Sequence, residues 1–257
     1  MEYHAAVPGI FLLAGMGFQI PAGGLVMSLG DDGGMKMEVN QTLVRLDLWP
    51  TWLEIGCLHA EQARAAGDRL NPELSDGEKY TTLTEELQAG LVAVTALAFA
   101  VDGFYDTLRQ ELGEHPHQAK WKENRTARHN QVTDTLRFHL KLGPTFSGQL
   151  RAVLKDLFDF RSRAVHPNST FVEPNYRPQI DSGVHPHLIT FSGPHAVQSR
   201  ALVLVLLDRL ITRAAEESKP GVDTGWLDRG REELDRLSAL YRVLGDDVPA
   251  FPIDAPS

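Results

Sequence analysis

The sequence predicts a mainly α-helical protein with a smaller β-rich segment at its N-terminus. Apolar residues fall at alternate positions before Pro50 and recur at steps of three and four after it. The hydrophobic fraction, 42% of 257 residues, is enough to fill an ordinary core. We divide the chain into a β-rich segment (1–49), a helical domain (50–245) and a proline-containing tail (246–257).

The β elements come first. Ile10 to Ala14 is apolar and is followed by glycine and proline. Leu25 to Leu29 follows Gly23 and Gly24. Asp31-Asp32-Gly33-Gly34 is a hairpin turn signal, because glycine tolerates positive φ. Met35, Met37 and Val39 alternate with Lys36 and Glu38, and Val44, Leu46 and Leu48 alternate with Arg45 and Asp47. Period two predicts half-buried strands.

Helices follow. Pro50 suits a first turn, and Thr51 to Ala66 reads as a helix ending near Gly67. Residues 68–81 read as a polar connection. Leu87, Leu91, Val94, Ala98, Val101, Tyr105, Leu108 and Leu112 make one stripe along a helix from about Thr82 to Leu112. Arg125 to Leu142 is the next helix, broken by Gly143-Pro144. Another starts near Thr145 or Ser147, either of which could cap it, and ends at Pro167. Phe171-Val172 and Leu188 to Phe191 could pair as a short hairpin. Ser192 then caps a helix that runs from Pro194 to about Glu217. Its segment Ala201 to Leu207 is apolar all round, which predicts a central position. A last helix spans Asp223 to Leu244.

Composition narrows the function classes. The net charge of −9 argues against indiscriminate nucleic-acid binding. The charge is uneven: residues 115–166 hold ten Lys or Arg and four Asp or Glu, a balance of +6, so the remainder carries −15. That stretch is either a solvated helical hairpin or a local phosphate-binding surface. Cys57 is the only cysteine, which excludes an intramolecular disulfide and agrees with a reducing compartment. No Lys or Arg precedes Ile10 to Phe18, so that stretch is not read as a secretory signal. No unbroken apolar run suggests a membrane span. A cytoplasmic location, with no membrane partner, is the expectation.

The common chemical motifs are missing. There is no glycine-rich phosphate loop and no Gly-x-Ser-x-Gly elbow. His115-Pro-His117 and His185-Pro-His187 resemble metal pairs, but no carboxylate lies at a telling spacing, and loop histidines are the simpler reading. No cofactor or metal is expected. Cys57 sits among apolar helical residues and reads as core.

One constellation remains. Leu157-Phe-Asp-Phe-Arg161-Ser162-Arg163-Ala-Val-His166-Pro167 ends an amphipathic helix. An Arg followed after four to six residues by His occurs about twice by chance in a chain of this composition. It occurs twice here, the other match being Arg109 to His115. Context separates them. Arg161 lies one turn from Leu154, Leu157, Phe158 and Val165, where an arginine is costly unless paired or facing a cleft. Arg109 sits at a polar helix end. In a straight helix Arg161 and His166 would be roughly 140° apart. Pro167 pushes His166 out of the α region, so the imidazole can swing back. If it does not, Arg161 has Asp156 or Asp159 to pair with, and His166 closes the helix.

At these residues the sequence resembles the HEPN superfamily, loosely over 50–217 and closely over 154–167. Where many ribonuclease members carry Asn after the Arg, this chain has Ser162. The resemblance implies a HEPN-like helical bundle and a metal-independent endoribonuclease, with two copies of the motif forming one site in a homodimer. Arg161 would bind the scissile phosphate, His166 would move a proton, and Ser162 and Arg163 would assist. RNA is then the expected partner. The resemblance also implies toxin–antitoxin or defence systems, with a cognate antitoxin or nucleotidyltransferase as partner. The alternatives are a non-catalytic HEPN-like module that binds RNA, a nucleotide or a protein, and an unrelated helical module that uses its long stripe as a partner surface.

Overall fold

The computed structural model of the chain describes residues 16–29, 34–166, 170–218 and 224–241. The chain divides into two units, Met1–Asp47 and Leu48–Ser257. The expected strand Ile10 to Ala14, the turn residues Asp31 to Gly33 and the tail 246–257 lie outside the described residues.

The first unit holds β1 (Met16–Gln19), β2 (Leu25–Leu29), β3 (Met35–Val39) and β4 (Leu43–Leu46). They form two separate two-stranded antiparallel sheets, β1 with β4 and β2 with β3. In the hairpin, Leu25 faces Val39, Met27 faces Met37 and Leu29 faces Met35, as the alternation requires. Gly23, at φ +80°, makes the turn into β2. The half-buried face expected of these strands does not materialise: Leu25, Met27, Leu29, Met35, Met37 and Val39 are all exposed. Two strands alone present both faces, and no second layer of described residues covers either within this unit.

The second unit is helical. Its elements are α1 (Trp49–Gly67), α2 (Asp76–Leu112), α3 (Gln118–Glu123), α4 (Arg128–Leu140) and α5 (Pro144–Val165), then the short strands β5 (Asn175–Arg177) and β6 (Ser182–Val184), and α6 (His187–Thr190), α7 (Gly193–Glu217) and α8 (Gly225–Tyr241). Eight α-helices are thus present among the described residues.

α1 and α2 form an antiparallel hairpin. Trp49 packs edge-on against Phe104 at 5.6 Å. Further along, a side chain at Gly56 would meet Leu97 at 2.7 Å, and one at Gly67 would meet Glu86. Ala60 and Ala63 of α1, Ala89 and Ala93 of α2, and Ala196 of α7 continue this close approach. The large side chains gather nearer the other end, with Leu53, Cys57, Phe104, Leu136, Leu154, Leu204, Leu207 and Leu237 fully buried. Burial pushes the Cys57 thiol up to about 12, as expected of a core cysteine.

Several boundaries differ from the sequence expectation. α2 begins at Asp76, because Ser75 and Glu78 form a capping box: Ser75 Oγ accepts from the Glu78 N–H, and Glu78 Oε2 accepts from the Ser75 N–H. The helix expected over 125–142 is present as α4, and Arg125, at φ +50°, separates it from α3, a short helix that the sequence expectation did not include. α5 starts at Pro144 with Gly143 as its cap, and Ser147 returns its hydroxyl to the Gly143 carbonyl instead of capping. Ser192 is the N-cap residue of α7 without a capping hydrogen bond. The hairpin expected between 171–172 and 188–191 is absent. β5 and β6 pair instead, with Asn175 opposite Val184, while Leu188 to Thr190 belong to α6 and Phe191 is buried.

An 18-residue window of α2 is long and apolar enough to span a membrane, but 56% of it is buried within the protein. The stripe on α2 is therefore a core surface. Ala98, Val101, Tyr105 and Leu108 are covered, which removes it as an exposed partner face. α7 packs on α2 and α1, and its segment Ala201 to Leu207 is mostly buried, as the all-round apolar run predicts.

Candidate functional site

α5 carries the motif to an exposed helix end. Leu150, Leu154, Leu157 and Phe158 are buried at helical spacing, which fixes the rotation of the helix. That rotation leaves Arg161 half-buried and Ser162, Arg163 and His166 exposed. The helix holds its hydrogen bonding to the last residue: the His166 N–H donates to the Ser162 carbonyl at 2.9 Å. His166 itself leaves the α region, at φ −122° and ψ 65°, as a residue before proline must. Its imidazole has no hydrogen-bond partner among the described residues, and no hydrogen bond joins it to Arg161.

Arg161 reaches neither Asp156 nor Asp159; Lys155 takes Asp159 at 2.9 Å. The guanidinium turns instead towards α2. It lies over the Phe158 ring at 5.2 Å and the Phe99 ring at 5.7 Å, and its Nη1 is 3.8 Å from Asp102 Oδ2. Asp102 is held more closely by α4: Arg128 Nε donates to Oδ1 at 2.7 Å, with its guanidinium 4.5 Å from the Tyr105 ring centre. Arg128 also approaches Asp106 at 3.6 Å, and Asp106 lies 3.5 Å from Arg109. Arg109 continues to Glu114. Asp102 and Asp106 are four apart, one turn of helix, and so share a face. The result is a ladder of three arginines, Arg161, Arg128 and Arg109, interleaved with carboxylates along α2.

This ladder joins the two arginines that satisfy the Arg-to-His spacing, yet their histidines differ. His115 is built into a ring cluster, stacked on Trp121 at 4.6 Å with planes 17° apart and edge-on to Phe138 at 5.0 Å. Its Nδ1 accepts from the His117 N–H, and burial holds its pKa below the ordinary value. His166 is free of such contacts. The two arginines themselves are alike, Arg109 being 23% and Arg161 27% exposed, so the contrast drawn between them in the sequence does not appear here and only the histidines separate the two matches. His185 and His187 repeat the same local turn, the His187 N–H donating to His185 Nδ1 at 3.2 Å. Both His-Pro-His segments are local turns, and no group of three metal-ligating side chains occurs among the described residues.

Arg163 is exposed and makes no ion pair among the described residues, though its charge helps depress the pKa of His187, after burial and His185. No family model, no curated protein and no solved structure matches the chain.

Sequence reading missed the most buried ionic group. Glu86 and Arg177 are 1% and 5% exposed and pair at 2.6 Å. Glu86 Oε1 also accepts from the Gly193 N–H at 2.8 Å, and Arg177 Nη1 donates to the Leu188 carbonyl at 2.8 Å. The carboxylate thus ties β5 and the start of α7 to α2, and Arg177 adds α6 through Leu188. A side chain at Gly90 would fall 1.9 Å from the Phe191 carbonyl oxygen, so this approach requires glycine. The signal was present: Glu86 lies on the same face as Thr82, Ala89, Gly90 and Ala93, and the small residues mark a close neighbour. The larger side chains at Leu87 and Leu91 lie on the adjacent face.

Proposed function

We propose that the chain is a HEPN-like, metal-independent endoribonuclease that works as a homodimer, with Arg161, Ser162, Arg163 and His166 at its site. The observation that carries this reading is the exposed end of α5. It combines an unpartnered imidazole at a fixed helix exit with a half-buried guanidinium held only by a 3.8 Å contact to Asp102 and by two rings. A guanidinium so lightly held can turn to a phosphate, which it binds through a bidentate fork.

The chemistry needs no other group. One His166 takes the proton of a ribose 2′-hydroxyl. The 2′-oxygen attacks phosphorus, and the bond to the 5′-oxygen breaks. A protonated His166 of a second copy gives that oxygen its proton. Arg161 offsets the charge on the non-bridging oxygens. The products are a 2′,3′-cyclic phosphate and a 5′-hydroxyl. A toxin or defence protein kept in check by a cognate antitoxin or a nucleotidyltransferase is the setting this activity fits, in the cytoplasm.

The test is incubation of the purified chain with RNA in a chelator, with product ends identified by mass. Cyclic phosphate ends that vanish in His166→Ala but persist in His115→Ala support the reading. A second reading, a non-catalytic module that binds RNA, a nucleotide or a protein, is favoured by Asp102, which already offsets Arg161, and by Ser162 in place of Asn. Binding of RNA without cleavage by the wild-type dimer would select it.

A further inference from the structure

The register of β2 and β3 brings their odd-numbered residues to one face. Leu25 pairs with Val39, Met27 with Met37 and Leu29 with Met35, while Ser28 and Lys36 pair on the opposite face. The first face therefore holds six apolar side chains and no charge. All six are exposed, from 37% and 40% at Leu25 and Val39 to 80% and 76% at Leu29 and Met35. A two-stranded hairpin on its own is marginally stable in water and needs a layer over its apolar face. The uncovered surface is on the order of 600 Å² per chain, the top of what a typical monomer leaves exposed. Two such faces together bury on the order of 1,200 Å², enough for a stable, specific interface.

We propose that this face docks on the same face of a second copy of the chain. The two hairpins stack about 10 Å apart, the ordinary spacing of packed sheets, around a two-fold axis that crosses the strands at the Met27–Met37 row. That axis brings Met27 to its own counterpart and Met37 to its own. It lays the Leu25–Val39 end of one copy over the Leu29–Met35 end of the other, so the smaller pair meets the larger and the layer fills evenly. A two-fold interface needs one patch that complements itself. A foreign partner must supply a matching apolar face, whereas a second copy carries one already. Covering this face buries no charge, and the three methionines, unbranched and flexible, take up the remaining misfit. Ser28 and Lys36 stay in water on the outer side. The interface goes beyond the nuclease reading and does not depend on it.

Sedimentation equilibrium of the full chain should show a dimer at micromolar concentration. Met27→Glu sets two carboxylates against each other on the axis and should weaken dimerisation at least about 100-fold. Ser28→Glu adds the same charge one residue away, on the outer face, and should leave dimerisation unchanged. Lys36→Cys carrying a nitroxide reports the geometry directly, since Cys57 is fully buried and takes no label. Pulsed electron resonance should give one distance of roughly 20–30 Å between the labels of the two copies, the sheet spacing plus the label arms. A chain that stays monomeric, a dimer that survives Met27→Glu, equal losses in both glutamate variants, or binding to phosphatidylcholine vesicles in place of dimerisation overturns the proposal. A dimer that Met27→Glu dissociates and that cuts no RNA keeps this interface and sinks the nuclease; a dimer that cuts RNA and is indifferent to Met27→Glu does the reverse.

Discussion

Arg177 and Arg161 belong to the same helical unit, and each faces a carboxylate of α2, yet they do different work. Arg177 is 5% exposed and shares Glu86, 1% exposed, with a backbone N–H from Gly193. Every part of that pair is enclosed, so neither charge can leave without stranding the other. Arg161 is 27% exposed and Asp102 22%, and the contact between them is 3.8 Å. Asp102 keeps Arg128 as its closer partner when Arg161 turns away. A buried pair with satisfied neighbours serves the fold. A loosely held arginine on the same helix end as an unpartnered imidazole is available to a ligand.

Cleavage should show the widest difference. If Arg161 and His166 form the site, His166→Ala should reduce RNA cleavage by about 10²–10⁴-fold, the usual worth of a general acid or base. His115→Ala should leave cleavage intact, because that ring is held in an aromatic cluster. Equal losses in both variants would erase the distinction between the two matches. The next effect is on stability. Glu86→Ala strands Arg177 and should cost about 3–5 kcal/mol in urea unfolding. A loss below about 1 kcal/mol, the range of a surface pair, would mean that the Glu86 node is not a clamp.

Arg161→Ala should change stability by only about 0–1 kcal/mol while it removes cleavage. A large loss of stability would move Arg161 into the same class as Arg177. The smallest effect concerns pH. Burial holds His139 and His115 below their ordinary value. Unfolded histidine takes up its proton near 6.5, so between neutrality and pH 5.5 the unfolded chain binds more protons than the folded one. Stability should therefore fall as pH drops through that window, and His139→Gln should flatten the fall. A melting temperature that rises towards pH 5.5 would contradict the sign.

The helical class, most of the helices and the β2–β3 register were legible because each rests on local periodicity. The same holds for the helix exit at His166, since proline acts on the residue directly before it. The capping box at Ser75 and Glu78 was legible too, and the apolar stripe beginning later concealed it. By itself the sequence determined where helices form, which residues could fill a core, and that Arg161 and His166 sit at one helix end. Tertiary structure alone decided that Arg161 turns to Asp102 and not to Asp156 or Asp159, because α2 brings Phe99 and Asp102 to that side of α5. It alone brought Glu86 to Arg177 and Gly193, across 91 and 107 residues of chain. Local pattern reports the face that a helix buries; which element covers that face depends on packing between residues far apart in the chain, and no short spacing encodes it.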